Sequence, residues 1–392
     1  MLNKLLVFTE SYTGGGGNRY MVDLVNAVYH EFDTVTLSSN HGGISGEDLN
    51  RVQGKIKCQV LPVFTRTRIH YLLAFLNGYL RKVILKLLVV VEPALVLYNI
   101  FLFVVYIRIT KPDRILVCNG GYPGSQACLA LAIAARFCST PATMSIVSTP
   151  TKRRRWFEWY DKLLDRSVWR STRCVISNAN VIALELERLH EMPRRISRVI
   201  YNGVADCEGP VKSLTGSPFT LGYVGRIESQ KGVFDLLSAF GVLRRRGRDV
   251  QLIIAGDGVE RQKFLAEARR IGLERYVTLL GHYSGDICEL MNMFDVFVFP
   301  SYWEGLPYVI LEAMRSARVI VTTPVGGIPE AIKDGEEGLI IPPGEPGKLA
   351  EAIEIIMDEP LLRESLASKA RNKYEMEFAL EQMYAKVKES MK

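Results

Sequence analysis

Short apolar runs, each closed by glycine, proline, serine or asparagine, recur along the chain and alternate with longer stretches of helical period. In the first half the runs lie at residues 5–8, 35–38, 115–118, 142–147, 174–177 and 199–204; in the second, at 219–225, 251–255, 277–280, 296–299 and 338–341. Runs so uniformly apolar predict strands buried on both faces, as in a parallel sheet. Between them, apolar residues spaced three and four apart predict helices near 20–29, 127–137, 178–190, 260–271 and 287–293. Further helices are expected from Pro307 through Met314, from Pro346 onward, and in the final tail. The alternation is α/β and implies two Rossmann-like, doubly wound domains facing a cleft. Their expected limits are 1–204 and 205–375, followed by a terminal helical segment, 376–392.

Composition adds bounds to that picture. The 392 residues suffice for two ordinary domains, and 48% hydrophobic against 23% charged residues is a globular profile. The seven cysteines (58, 118, 128, 138, 174, 207 and 288) form no C-x-x-C pair. Their number and spacing predict free thiols in a reducing compartment, with neither disulfide nor structural zinc. The opening MLNKLLVFTE is too short an apolar run for a signal peptide and reads as a strand.

A formal charge of +7 fits nucleic acid, a membrane surface or an anionic substrate as partner, and no zinc finger or RNA-binding aromatic motif supports the first. Basic residues Arg66, Arg68, Arg81, Lys82 and Lys86 stand among apolar ones, and within the strongly apolar stretch 83–109 the longest uncharged run is 93–107. It falls short of the roughly 20 residues a spanning helix needs, so no transmembrane helix is predicted. The segment 151–170 places Trp156, Trp159, Tyr160, Leu163 and Leu164 at helical spacing behind a basic start, Lys152 to Arg155. It reads either as a packed helix with a solvated basic end or as an interfacial anchor on an anionic membrane.

The densest chemistry lies at 294–330, FDVFVFPSYWEGLPYVILEAMRSARVIVTTPVGGIPE. A strand ends at Pro300, and Pro307 suits the first turn of the next helix. A helix start beyond a strand's carboxyl end offers unpaired N–H groups to a diphosphate. Glu304 before that helix can hold hydroxyls, and Glu312 within it can take both oxygens of a ribose diol. Two glutamates eight apart would by themselves be a solvated helix face. The whole run, with Gly305-Leu306-Pro307 and Gly326-Gly327-Ile328-Pro329-Glu330, resembles the signature of glycosyltransferase family 4 (glycosyl transferases group 1), retaining enzymes of GT-B fold.

That resemblance implies further roles. Arg226 and Lys231, in RIESQKG, resemble the family's G-R-x4-K-G element and would meet the donor diphosphate. Gly15 and Gly16, in TGGGGN, match the glycine pair near donor phosphates and acceptor. Two positions depart from the pattern: Asn18 stands where relatives carry Glu, and Ser148 where many carry His. The tail would return to the first domain. The implied reaction is front-face transfer from a nucleotide-sugar donor, with Arg226, Lys231 and Glu304 catalytic and Gly15, Gly16, Gly305, Leu306, Pro307 and Glu312 binding the nucleotide sugar. The departing phosphate itself helps deprotonate the acceptor. No Asp-x-Asp element occurs, so neither metal nor cofactor is expected. The first domain's basic and apolar surplus points to a lipid-linked acceptor of polysaccharide or glycolipid synthesis, met at the cytoplasmic face of a membrane. A non-catalytic scaffold and a nucleotide-sugar epimerase are the rival readings.

Overall fold

The computed structural model describes residues 3–10, 15–40, 44–65, 69, 78–207 and 218–391, with the side chains of 78–89 outside that description. Arg66, Arg68 and the side chains of Arg81, Lys82 and Lys86 therefore lie outside the described residues. The chain divides into two units: residues 1–200 with 384–392, and residues 201–383.

The first unit is built on a seven-stranded sheet. Its strands are β1 (Lys4–Thr9), β2 (Thr34–Ser39), β3 (Ile56–Val60), β4 (Arg114–Asn119), β5 (Ala142–Ile146), β6 (Cys174–Ser177) and β7 (Ser197–Val199). They are parallel throughout, in the order β3-β2-β1-β4-β5-β6-β7, so the winding reverses between β1 and β4. The apolar runs fill the centre: Leu5, Val7, Phe8, Ile115 and Val117 are all buried. β3 was not legible from the pattern, because an edge strand carrying Lys57 and Gln59 need not be apolar.

The second unit holds six parallel strands: β8 (Phe219–Val224), β9 (Val250–Ala255), β10 (Val277–Gly281), β11 (Val296–Phe299), β12 (Val319–Thr322) and β13 (Leu339–Ile340). Their order, β10-β9-β8-β11-β12-β13, reverses between β8 and β11. Directly before β12, Arg318 is wholly buried, and its guanidinium donates to the carbonyls of Ser316 and Phe294. Burial pulls its pKa down to about 10 against the attraction of Asp295.

The apolar stretch before β4 forms one helix, Gly78–Thr110, with Pro93 inside it. Its Val90–Thr110 part, mean hydropathy 2.1, is long and apolar enough to cross a membrane by length and composition. The uncharged run is shorter only because Glu92 and Arg108 bound it, and the helix continues through both. In the fold one face of this helix packs on the unit. Phe103 meets Phe8 edge-on with ring centroids 5.1 Å apart, and Asn99 bonds both backbone groups of Phe64. The opposite face leaves Val90, Leu97, Phe101 and Ile109 exposed.

One expectation is overturned and another narrowed. Cys207 and Cys288 form a disulfide, with Cα atoms 6.0 Å apart and a sequence separation of 81. Sequence spacing gave no hint of it, since the fold alone brings those two positions together; the other five cysteines are free thiols. The basic run before the helix Glu158–Ser171 is a solvated end only at Lys152 and Arg155. Arg154 forms a two-pronged ion pair with Glu92, at 2.7 Å on each side, and a second pair with Asp161. Arg153 pairs with Asp165 and Glu191. Only Lys152 and Arg155 of the run are exposed, beside Trp156 and Trp159. Tyr160 and Leu164 pack inward, whereas Leu163 faces out.

Asp165 also joins a buried cluster. Its carboxylate accepts from Tyr122 at 2.6 Å and faces His190 Nδ1 at 3.0 Å, while His190 Nε2 lies 2.8 Å from the Thr151 carbonyl. Trp169 stacks on Tyr122 and donates to the His190 carbonyl. The cluster ties the loops after β4 and β5 to the two helices behind them. The unit's last residues are held in the same way: the Arg114 guanidinium donates to the Met391 carbonyl.

Candidate functional site

In the second unit three loops leave the carboxyl ends of β8, β11 and β12, around the point where the winding reverses. Ligands of open α/β sheets bind at such a point. The loops are laced by backbone contacts that depend on glycine. At Gly232, φ is +68°, and a Cβ there would stand 1.9 Å from the Pro300 carbonyl oxygen. At Gly326, φ is +57°, and a Cβ would stand 2.1 Å from the Glu304 oxygen. Any side chain at either position would drive two loops apart. Hydrogen bonds complete the lacing: Tyr302 N–H to Gln230 O at 3.0 Å, Gly327 N–H to Gly305 O at 2.6 Å and Thr323 Oγ1 to Ser301 O at 2.5 Å.

Upon this frame Lys231 and Glu304 meet, Nζ to Oε1 at 2.6 Å, both mostly buried. Ser301, fully buried, donates to the same Oε1 at 2.8 Å. The pair is thus fixed in place, with the ammonium at the mouth of the strand-end loops. Arg226 stands on the same rim but is largely exposed, and its guanidinium pairs with Glu228 at 3.0 Å. Tyr223 links the groups: its hydroxyl donates to the Arg226 carbonyl, and burial with the nearby Glu304 charge pushes its pKa up.

The helix after the loop is Tyr308–Arg315, with Pro307 as its N-cap and not inside its first turn. No acidic side chain occupies that first turn. Leu306 is buried, and its carbonyl accepts from Asn202 Nδ2 at 2.5 Å. Glu312 lies in the body of the helix and is 3% exposed. The structure therefore gathers Lys231, Glu304, Gly305, Leu306 and Pro307 closely, with Arg226 at the edge and Glu312 further down the helix. Gly15 and Gly16 belong to the first unit, where Gly15 caps the helix Gly16–Val28 at φ +151°. Asn18, in that helix's first turn, is buried and donates to Asp48. No group of three or more His, Cys, Asp or Glu side chains is gathered as for a metal among the described residues.

Two contributors are not legible in the sequence. Ser301 reads there only as a strand terminator; its hydroxyl in fact fixes Glu304. Gly232 reads as part of a motif, and its close approach to Pro300 is a tertiary fact.

Comparison with known proteins bears on this geometry. Residues 210–373 match the family model described as glycosyl transferases group 1. The chain is 40% identical over 149 residues to an alpha-D-kanosaminyltransferase of Streptomyces kanamyceticus, covering 38% of this chain and 39% of that protein. It is 33% identical over 180 residues to the capsular polysaccharide biosynthesis glycosyltransferase CapM of Staphylococcus aureus, covering 44% and 47%. The matches thus span less than half the length of these relatives. Over the whole chain the fold is similar to that of HepE from Anabaena, crystallised with UDP: TM-score 0.71, 20% identity, 98% of each chain covered. These likenesses agree with two Rossmann-like α/β units of GT-B type.

Proposed function

We propose that this chain, whose second unit carries a glycosyl transferases group 1 domain, is a retaining glycosyltransferase acting on a nucleotide-sugar donor. The observation that carries the reading is the Lys231–Glu304 pair, locked by Ser301 among three strand-end loops. A fixed ammonium at that place, with Arg226 on the rim and an uncapped helix start at Pro307, suits a departing diphosphate. Glu312 then serves the ribose diol and Glu304 the donor sugar. No metal ion takes part: the positive charge comes from Lys231, Arg226 and the helix end. Transfer proceeds on the front face, with the leaving phosphate accepting the acceptor's proton.

The acceptor is lipid-linked and is met at an anionic membrane surface on the cytoplasmic side. Supporting this, the first unit exposes Val90, Leu97, Phe101 and Ile109 on one helix and Trp156, Trp159 and Leu163 around another. The two are joined through the Arg154–Glu92 pair. Exposed Lys152 and Arg155 flank the tryptophans, as in an interfacial surface. The relation to CapM supports a product in surface polysaccharide.

The donor reading is tested by thermal shift with UDP, GDP and ADP, each measured without and with EDTA. One nucleotide at ~100 times its dissociation constant raises stability by about 2.7 kcal/mol, and UDP is the first choice given the likeness to HepE. With the corresponding sugar donor, Lys231→Ala lowers turnover roughly a few hundredfold, the usual loss for one preorganised charge. Absence of a shift with all three nucleotides would refute the donor site, and loss of the shift in EDTA would refute its metal independence.

A further inference from the structure

Cys207 and Cys288 are both in the second unit, and their bond joins its entry segment to the short helix Ile287–Met291. Cys288 is buried in that helix, whereas Cys207 is half-buried. The helix packs on the next one, Tyr308–Arg315, whose start at Pro307 belongs to the candidate donor site. Cys207 also reaches the far end of that second helix: its Sγ lies 3.7 Å from Ser316 Oγ. One covalent bond therefore clasps two helices and the segment beside them.

The segment does not depend on that bond for its place. Arg315 donates to the Ala205 carbonyl at 2.8 Å, and Arg371 grips the Asp206 carboxylate with two hydrogen bonds, at 2.6 and 2.7 Å. Arg371 reaches the Arg315 carbonyl as well, and the Val204 N–H donates to the Phe378 carbonyl at 3.0 Å. Polar contacts thus hold residues 204–206 with or without the sulfur bridge. Cys118, Cys128 and Cys174, by contrast, are buried free thiols whose pKa values burial pushes up. Such thiols are inert in exchange.

We infer that the Cys207–Cys288 bond is a reversible redox switch on the nucleotide site, closed in the nucleotide-binding form and opened by a dithiol protein. This rests on the glycosyltransferase reading and on its cytoplasmic placement, where disulfides are usually transient, catalytic or redox-sensing. The exchange balances between the two partners. A thiolate of the reductant attacks Cys207 Sγ, the more exposed sulfur, and Cys288 leaves as a thiolate that takes up a proton. The reductant's second thiolate then displaces Cys207 in the same way. Two protein thiols and one reductant disulfide result, two electrons and two protons having passed to the protein. Because polar contacts keep residues 204–206 in place, opening releases only the helix Ile287–Met291. It is then held by Asp286, which accepts the Cys288 N–H at 2.8 Å, and by buried Leu290 and Met291. The helix Tyr308–Arg315 loses that lateral support, and its start at Pro307 loses a fixed position.

The full chain is brought to its disulfide form with oxidised glutathione and to its thiol form with dithiothreitol, without denaturant. Mass spectrometry after alkylation should find Cys207 and Cys288 joined in the first and alkylated in the second, with the circular dichroism unchanged. Hydrogen–deuterium exchange at 287–291 and 308–315 should quicken roughly threefold or more in the thiol form, as local opening becomes easier. UDP affinity should fall about tenfold, a usual size for coupling between two sites. Cys207→Ser and Cys288→Ser should match the thiol form in both measurements and ignore the glutathione ratio. A bond that survives excess dithiothreitol in the folded chain, or whose opening unfolds it, is a structural staple and overturns the inference. Equal exchange rates in the two forms overturn it as well. If UDP binds both forms equally, the donor site stands and the switch is refuted. If UDP binds neither, the donor reading falls, and the exchange rates alone decide whether the bond governs these helices.

Discussion

A carboxyl group with a pKa of about 7 in the folded chain and an ordinary value of 4.5 when unfolded makes Glu10 a stability liability. Between those two values the folded state binds the proton that the unfolded state has lost. Stability therefore falls as pH rises from about 4.5 through 7, by about 3 kcal/mol in all. Glu10→Gln should accordingly unfold in urea at higher concentration than the parent at pH 8, with the gap closing near pH 4.5. Parallel pH slopes for the two proteins would show that the carboxyl ionises freely in the fold. The Lys231–Glu304 pair is a contrasting case. Its members were legible as a motif, but their contact, 2.6 Å long and fixed by Ser301, was not. A sequence separation of 73 residues says nothing of a meeting between two loops.

At the scale of elements, the segment 151–171 shows how a charge run changes meaning once partners arrive. Arg154 reaches Glu92, 62 residues earlier, and Asp161, seven later, and both carboxylates are almost wholly buried. Removing the guanidinium strands two buried charges, which costs about 3–5 kcal/mol. Arg154→Ala should thus lower the urea midpoint sharply, whereas Arg155→Ala, on an exposed side chain, should shift it little. Equal and small effects would mean that the pairs with Glu92 and Asp161 are not held. The helix Gly78–Thr110 teaches the same lesson for apolar residues. Composition alone cannot separate a membrane span from a layer helix with one bare face. Phe103 against Phe8 and Asn99 against Phe64 settle which face is packed.

For the whole molecule, the bare faces of the first unit set the prediction for the membrane. The parent should sediment with anionic vesicles and less with neutral ones. Lys152→Gln with Arg155→Gln removes two charges worth about 1 kcal/mol each near such a surface, a loss of roughly thirtyfold. Trp156→Ala with Trp159→Ala should remove the part of the binding that survives high salt. Equal sedimentation of all three proteins would make the acceptor a soluble glycan. The arginines at 153 and 154 are unsuitable for this test, because their loss would disturb the fold before the surface.

By itself the sequence determined only the features that local periodicity and local motif carry. Near-continuous apolar runs can be satisfied only in a sheet covered on both faces, so the pattern sufficed for two wound α/β units. The residues of RIESQKG and of 304–312 could be read because their chemistry is written within one loop and one helix. The tertiary structure alone decided everything that depends on distant residues meeting. It joined Cys207 to Cys288 across 81 positions, neutralised Arg153 and Arg154, and turned Asp165, His190 and Tyr122 into one buried cluster. It also buried Glu10 where the winding of the first sheet reverses. Burial and proximity are properties of the packed chain, and the ionisation of a carboxyl depends on both.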